Sequence, residues 1–346
     1  MMKIAVDAMG GDNAPAAVIE GCVAALNDMS ADIILVGKED VVRAELEKYA
    51  GLYDEERIEI VHAEEVIENE DSPVKAVRTK KNSSLVMAVD MVKEGKAGAM
   101  MSAGNTGALM AAALLRLGRI KGIERPAIVS AFPKLGKRGE FVLLADTGAN
   151  AECTAHNLLS FAYMGSIYRH HAFGTENPAI GLVNIGSEET KGTSMLKEAH
   201  QLLKRSDLNF IGNVEGREIP RTDADVLVCD GFTGNIVLKL TEGVAWNVFK
   251  MIKDKITEDL TARIGALLLK KKLYGLKAEF DYSSYGGAPI LGVKGMVFKM
   301  HGSSSAVAVQ NAVVKAAAVC ERDVIGEIES SMERFRNDGA ENDGTE

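Results

Sequence analysis

Short apolar runs, each ending in a loop of Gly, Asn, Thr and Asp and then a helical stretch, recur along this chain. No other feature constrains its fold as strongly. Ile4–Val6 runs into Asp7-Ala8-Met9-Gly10-Gly11-Asp12-Asn13-Ala14-Pro15, and Ala97–Met101 into Ser102-Ala103-Gly104-Asn105-Thr106-Gly107. Phe141–Ala145 leads to Asp146-Thr147-Gly148-Ala149-Asn150. Pro178–Ile185 ends in a loop from Asn184 to Gly192, and Asp225–Cys229 in one from Asp230 to Asn235. Short apolar runs bounded by turn residues suit strands buried on both faces. Alternating with helices, they predict an α/β fold in three layers, α/β/α, around a largely parallel sheet. Ligands of such sheets bind beyond the carboxyl ends of the strands, so these loops are expected to meet at one rim.

The loop Gly104–Gly107 is the sharpest anion candidate. It is uncharged, follows a buried strand and precedes the apolar helical run Ala108–Leu117. Backbone N–H groups and the positive end of a helix dipole favour phosphate there. The same letters also suit a plain Gly-Asn turn capping a helix.

Composition excludes several classes. A net charge of −9 argues against a general nucleic-acid binder. The four cysteines, Cys22, Cys153, Cys229 and Cys320, have no zinc or dithiol spacing, so no metal or cofactor is expected. Lys3 is followed by Ile4-Ala5-Val6 and then Asp7, which is no secretory leader, and no apolar run reaches the ~20 residues of a membrane span. A cytoplasmic setting is expected. Dinucleotide binding fails on two counts. The G-x-G-x-x-G fingerprint is absent, and the second strand, Asp32–Val36, ends in Gly37-Lys38 without the ribose-binding acid.

Helix, strand and helix are expected at Glu39–Tyr49, Arg57–His62 and Ser83–Lys93, and a helix from near Glu152 to His171. Asn13 is a candidate N-cap, with Pro15 in the first turn of a helix through Leu26. Two basic groups, Arg78, Lys80, Lys81 and Arg116, Arg119, Lys121, are either solvated surface or a patch for an acidic partner. Ile236–Leu276 reads as a long helical protrusion with an apolar stripe at Phe249, Ile252, Ile256, Leu260, Ile264 and Leu267. Its tip, Leu267, Leu268, Leu269, Lys270, Lys271, Lys272, suits an anionic membrane surface or a subunit interface. A hairpin through Val293 and Val297 leads to His301-Gly302-Ser303-Ser304, then one helix from Ala306 to Phe335. Residues 1–336 thus form a single two-lobed unit, and the acidic tail 337–346 is expected to be disordered.

Six stretches together resemble the bacterial phosphate acyltransferases. They are Ala5–Pro15 (AVDAMGGDNAP), Ser102–Met110 (SAGNTGALM), Leu144–Asn150 (LADTGAN), Val183–Gly192 (VNIGSEETKG), Asp230–Asn235 (DGFTGN) and Tyr285–Ser304 (YGGAPILGVKGMVFKMHGSS). They follow in order along nearly the whole chain. The resemblance implies a fold like that of isocitrate and isopropylmalate dehydrogenases, and a homodimer. It implies conversion of acyl-[acyl carrier protein] and inorganic phosphate to acyl phosphate for phospholipid synthesis. It further implies peripheral association with the membrane, where a glycerol-3-phosphate acyltransferase consumes the product.

Attack of phosphate on a thioester needs positioned donors more than a strong base. Lys191 is the candidate to fix phosphate, and Asn105, Thr106, Asn184 and Asn235 the candidate hydrogen-bond donors. His301 is either the proton donor to sulfur or oxyanion, or a cap for the following turn. Asp7, Asn13, Gly104, Gly107, Asp146, Asn150, Asp230, Thr233, Ser303 and Ser304 complete the expected site. Three alternatives remain. A decarboxylating dehydrogenase lacks its arginine cluster here; a phosphotransacetylase would use acyl-CoA; a non-catalytic acyl-carrier sensor would release no product.

Overall fold

The structure is a computed structural model that describes residues 2–135, 139–257, 265, 267, 269, 275 and 286–342, with side chains as far as Arg334. Leu268, Lys270, Lys271 and Lys272 of the expected tip lie outside the described residues, while Leu267 and Leu269 are exposed.

Eleven strands form one sheet in the order β3-β2-β1-β4-β11-β10-β5-β6-β9-β7-β8. They are β1 Lys3–Asp7, β2 Asp32–Gly37, β3 Ile58–His62, β4 Ala99–Ser102, β5 Ala127–Pro133, β6 Phe141–Ala145, β7 Ile180–Asn184, β8 Phe210–Glu215, β9 Val226–Val228, β10 Ala288–Leu291 and β11 Met296–Lys299. The predicted α/β/α fold is present. On one face pack α1 Ala16–Ala25, α6 Ala155–Phe173, α7 Ser194–Arg205, α9 Ala306–Cys320 and α10 Val324–Asn342, around Ile19, Phe161, Leu203, Val313 and Ile328. The other face carries α4 Ser84–Lys93 and α5 Thr106–Ala112, and, over β6 and β9, the start of α8 Gly231–Thr257. Two short helices complete the set, α2 Glu39–Leu46 and α3 Pro73–Thr79.

One expectation needs correction. Pairing is parallel except at β11–β10, β10–β5 and β5–β6. The antiparallel β5–β6 pair reverses the sheet, so β6, β9 and β7 run against β1, β4 and β11. Their carboxyl ends therefore face the opposite rim. The loop after β6 nonetheless folds back over β5: Thr147 N donates to Ile128 O at 3.0 Å, and the Thr147 and Ser130 hydroxyls are 2.8 Å apart.

Smaller differences have local causes. The first helix is capped at Pro15 rather than Asn13, whose amide instead donates to the carbonyls of Ser303 and Ser304. The helix that begins at Thr106 widens into a π-turn, Ala113–Leu117, and stops at Gly118, whose φ of +80° suits glycine. The carboxyl-terminal helix is two, broken at Glu321-Arg322-Asp323, with Asp323 accepting from Gly326 N at 2.9 Å. The second runs to Asn342, past the expected start of disorder at 337, because extending a formed helix costs less than nucleating one. Residues 343–346 lie outside the described residues.

Candidate active site

The carboxyl ends of β1, β4 and β11, the middle of β5 and one face of α8 enclose a cleft of about 480 Å³. Of the residues expected at the site, Gly104, Thr106, Asn235, His301 and Ser304 line it. Most of the others brace the loops around it, whereas Asn184 and Lys191 lie elsewhere.

Asp7 is fully buried at the end of β1, where Ser102 Oγ donates to it at 2.7 Å and Met9 N at 3.2 Å. Burial pushes its carboxyl up, against the pull of the hydrogen bond from Ser102. Ser102 Oγ in turn accepts from Gly104 N at 3.0 Å, so that N–H points into the protein rather than at a ligand. Gly10 passes so close that a Cβ would sit 2.5 Å from Asp7 Oδ2 and 2.8 Å from Gly104 N. Asn105 Oδ1 caps α5 through Ala108 N at 2.9 Å, and its amide is held by the carbonyls of Glu68, Asn69 and Asp71. Gly107 packs against Pro73. The turn-capping reading of these letters therefore describes most of the loop.

Asp146 has the same structural role across the sheet. Its carboxylate accepts from the backbone N–H groups of Ile128, Gly148, Ala149 and Asn150 and from the Asn150 amide, at 2.7–3.1 Å. Burial raises its pKa, opposed by these bonds. Asn150 also ties to Pro126 O at 2.7 Å. The start of α8 lies against this loop: a Cβ on Gly234 would fall 1.9 Å from Asp146 O, so only glycine fits. Asp230 caps that helix, accepting from Thr233 N at 2.8 Å and Thr233 Oγ1 at 2.9 Å.

Asn184 and Lys191 do not line the cleft. They belong to the loop after β7, on the reversed half of the sheet. The Asn184 amide donates to Lys191 O at 3.2 Å, and the half-exposed Lys191 ammonium faces Glu188 at 3.9 Å. The Gly104–Gly107 loop and Lys191 are thus not brought together within the chain.

Three charged residues at the cleft were missed by sequence reasoning: Lys239, Glu242 and Lys299. A signal existed for the first two. Asn235, Lys239 and Glu242 stand at i, i+4 and i+7, on one face of a helix leaving a Gly-Asn loop. Lys299 is the last residue of β11 and is largely buried. Burial lowers its pKa, Lys239 adds to that, and Glu242 opposes it. His301, two residues on, accepts at Nδ1 from Ser303 N at 3.2 Å, with Ser303 Oγ at 2.9 Å. A backbone N–H can only donate, so the neutral ring carries its proton on Nε2. Burial, Lys239 and Lys299 lower the pKa of His301, with Glu242 and Asp12 opposing, and this favours the neutral ring. Apolar wall comes from Ile128, Leu238, Ala288, Met300 and Ala308.

The two basic groups do not form one patch. Arg116 grips Asp90 through two bonds of 2.6 Å, Lys80 pairs with Asp71 at 2.6 Å, and Lys121 with Glu333 at 3.4 Å. Arg119 donates to Glu124 O. Among the described residues only Arg78 and Lys81 of the six have no ion-pair or hydrogen-bond partner. No cluster of metal-ligating side chains occurs among the described residues, and no described helix is long and apolar enough to cross a membrane.

A largely parallel α/β sheet with a cleft across its strand ends recurs among solved structures. A phosphotransacetylase from Streptococcus pyogenes superposes with a TM-score of 0.64 over 92% of this chain and 94% of its own, at 18% identity. A 4-hydroxythreonine-4-phosphate dehydrogenase from Klebsiella pneumoniae gives 0.52 over 92% and 99%, at 11% identity. These likenesses define the fold class. Sequence relatives narrow it: a phosphate acyltransferase of Clostridium acetobutylicum is 52% identical over 96% of this chain and 100% of its own. One of Clostridioides difficile is 48% identical over 99% of each. The family described as "Fatty acid synthesis protein" matches residues 2–327. The chain belongs to the phosphate acyltransferase family, and is an acyltransferase.

Proposed function

We propose that the protein transfers a fatty acyl group from acyl-[acyl carrier protein] to inorganic phosphate. The acyl phosphate would then be consumed in phospholipid synthesis by a membrane glycerol-3-phosphate acyltransferase. The observation that carries the reading is the corner of Lys239, Lys299 and His301 in a cleft that also has an apolar wall of Ile128, Leu238, Ala288, Met300 and Ala308. Two ammonium groups suit an oxyanion, and the apolar wall suits a thioester and its acyl chain.

In the reaction a phosphate oxygen attacks the thioester carbon and the C–S bond breaks. The proton of hydrogenphosphate balances the thiolate, so acyl phosphate and free thiol leave. Lys299 and Lys239 hold the nucleophile. The neutral His301 imidazole donates its Nε2–H to the oxygen that becomes negative at the carbonyl. It acts better as a donor than as an acid, because burial first and then the two neighbouring ammonium groups disfavour the imidazolium. Arg78 in the last turn of α3 and Lys81 just after it receive the acidic carrier. The chain works as a homodimer that touches the membrane peripherally, with the Leu267–Lys272 tip as one contact candidate.

The test is phosphate-dependent release of thiol from long-chain acyl-[acyl carrier protein], with acetyl-CoA as the competing donor. Lys299→Met should raise the phosphate KM or lower kcat by about 1.5–3 kcal/mol, the size of a charge-assisted hydrogen bond. Lys191→Ala is the comparison. If it carries the loss and Lys299→Met does not, phosphate sits at the loop after β7 and the cleft assignment is wrong. Release from acetyl-CoA alone would make the protein a phosphotransacetylase.

A further inference from the structure

We infer that Glu242 makes the anion site selective for an oxyanion that still carries a proton, admitting hydrogenphosphate and excluding sulfate. The inference rests on the placement of phosphate at Lys239, Lys299 and His301.

Glu242 reaches the cleft from α8, one turn beyond Lys239. Its Oε2 accepts from Lys239 Nζ at 2.9 Å. Its Oε1 is buried and has no hydrogen-bond partner among the described residues. A buried carboxylate oxygen without a donor is costly, and a site that contains one favours a ligand that supplies the donor. The negative charge of Glu242 also acts on Lys299 and His301, so it belongs to the same electrostatic group.

A ligand for this corner must therefore satisfy two opposite demands. It must be anionic, for Lys239 and Lys299, and it must offer an O–H to Glu242 Oε1. The hydrogenphosphate dianion does both. Sulfate has similar size and the same charge but no proton at neutral pH, so it would set a bare oxygen against a carboxylate oxygen. Monofluorophosphate fails for the same reason, whereas hydrogenarsenate passes. A carboxylate that would weaken any general anion site thus acts as a filter, rejecting the wrong partner by an unpaired lone pair. Cells hold sulfate alongside phosphate, and an acyltransferase that admitted it would be inhibited.

The experiment measures phosphate-dependent thiol release from acyl-[acyl carrier protein] with sulfate, monofluorophosphate and arsenate as competitors. In the wild-type protein arsenate should compete at concentrations like those of phosphate, while sulfate and monofluorophosphate need at least ~10-fold more. Glu242→Gln offers an amide that donates as well as accepts, and should strengthen sulfate inhibition relative to the phosphate KM by ~10-fold or more. The wild-type comparison stands even where the variant folds poorly: equal competition by sulfate, monofluorophosphate and arsenate overturns the inference. So does a Glu242→Gln protein that changes only the KM for the acyl thioester, which would assign Oε1 to an amide N–H of the carrier's arm. Absence of any phosphate-dependent release from the wild type would remove the functional reading itself, a distinct outcome.

Discussion

Ser102 Oγ donates to Asp7 Oδ2 at 2.7 Å, joining the ends of neighbouring strands β1 and β4 beneath the cleft floor. Ser102 accepts from Gly104 N on its other side, so one chain of bonds runs from a buried carboxylate to the loop at the cleft. The polar groups of the loop at Ser102, Gly104 and Asn105 thus turn inward.

Asp7→Asn tests the electrostatic side of this chain. The folded-state pKa of Asp7 is raised above its ordinary 3.8 by burial. Below that value both states are protonated and the group favours folding. As pH rises through the raised folded pKa, a buried charge must form and that contribution is lost. Asp7→Asn should therefore gain stability relative to wild type as pH increases from 3.8 towards neutrality. Urea midpoints at several pH values measure it; a difference constant with pH would show that Asp7 does not titrate this way.

The sheet and most elements were legible in the sequence because buried strands stand out as short apolar runs bounded by Gly, Asn and Asp, with helical stretches between them. The reversal at β5–β6 was not, since strand direction is set by pairing and leaves no mark on an apolar run such as Phe141–Ala145. At the site, Asn and Asp of the Gly-rich loops stood out as ligands, yet Asn105, Asp146, Asn150 and Asp230 spend their hydrogen bonds on caps and turns. The same residue types do both jobs, and only geometry separates them. Lys239, Glu242 and Lys299 escaped notice because charged residues on a helix or strand end are usually solvated.

Asp146→Asn should destabilise the protein although burial raises the carboxyl's pKa. Four backbone N–H groups and the Asn150 amide point at its oxygens, and an Asn would turn an NH₂ towards some of these donors. The cost should be about 2–3 kcal/mol, in the range for bonds to a charged group and their disruption. Chemical denaturation measures it. A neutral result would mean that Asp146 is protonated in the folded state.

Carrier docking should respond to Arg78 and Lys81 and not to the paired cations. Double reversal, Arg78→Glu with Lys81→Glu, should raise the KM for acyl-[acyl carrier protein] at low salt, mostly through association rate. The deficit should shrink as salt rises to about 0.5 M, where screening removes steering. Arg116→Glu should instead lower thermal stability, because it leaves Asp90 facing a like charge. An unchanged carrier KM in the double variant would move the dock elsewhere on the surface.

The last expectation concerns the outer face of α8. Phe232, Ile236, Leu240, Val244, Val248 and Met251 follow at three- to four-residue steps, and all are exposed. The only fully buried residues of this 27-residue helix are Gly231 and Gly234, at its foot. An apolar row of that length facing water is costly, and a second copy of the chain would cover it. Stable pairing needs roughly 800 Å² from each partner, which a helix of this length with its neighbours can provide. Leu240→Glu with Val244→Glu should convert a dimer to monomers in sedimentation. Since Asn235, Lys239 and Glu242 reach the cleft from the same helix, turnover should fall with the dimer. A variant that stays dimeric but no longer binds anionic vesicles would assign the row to the membrane instead.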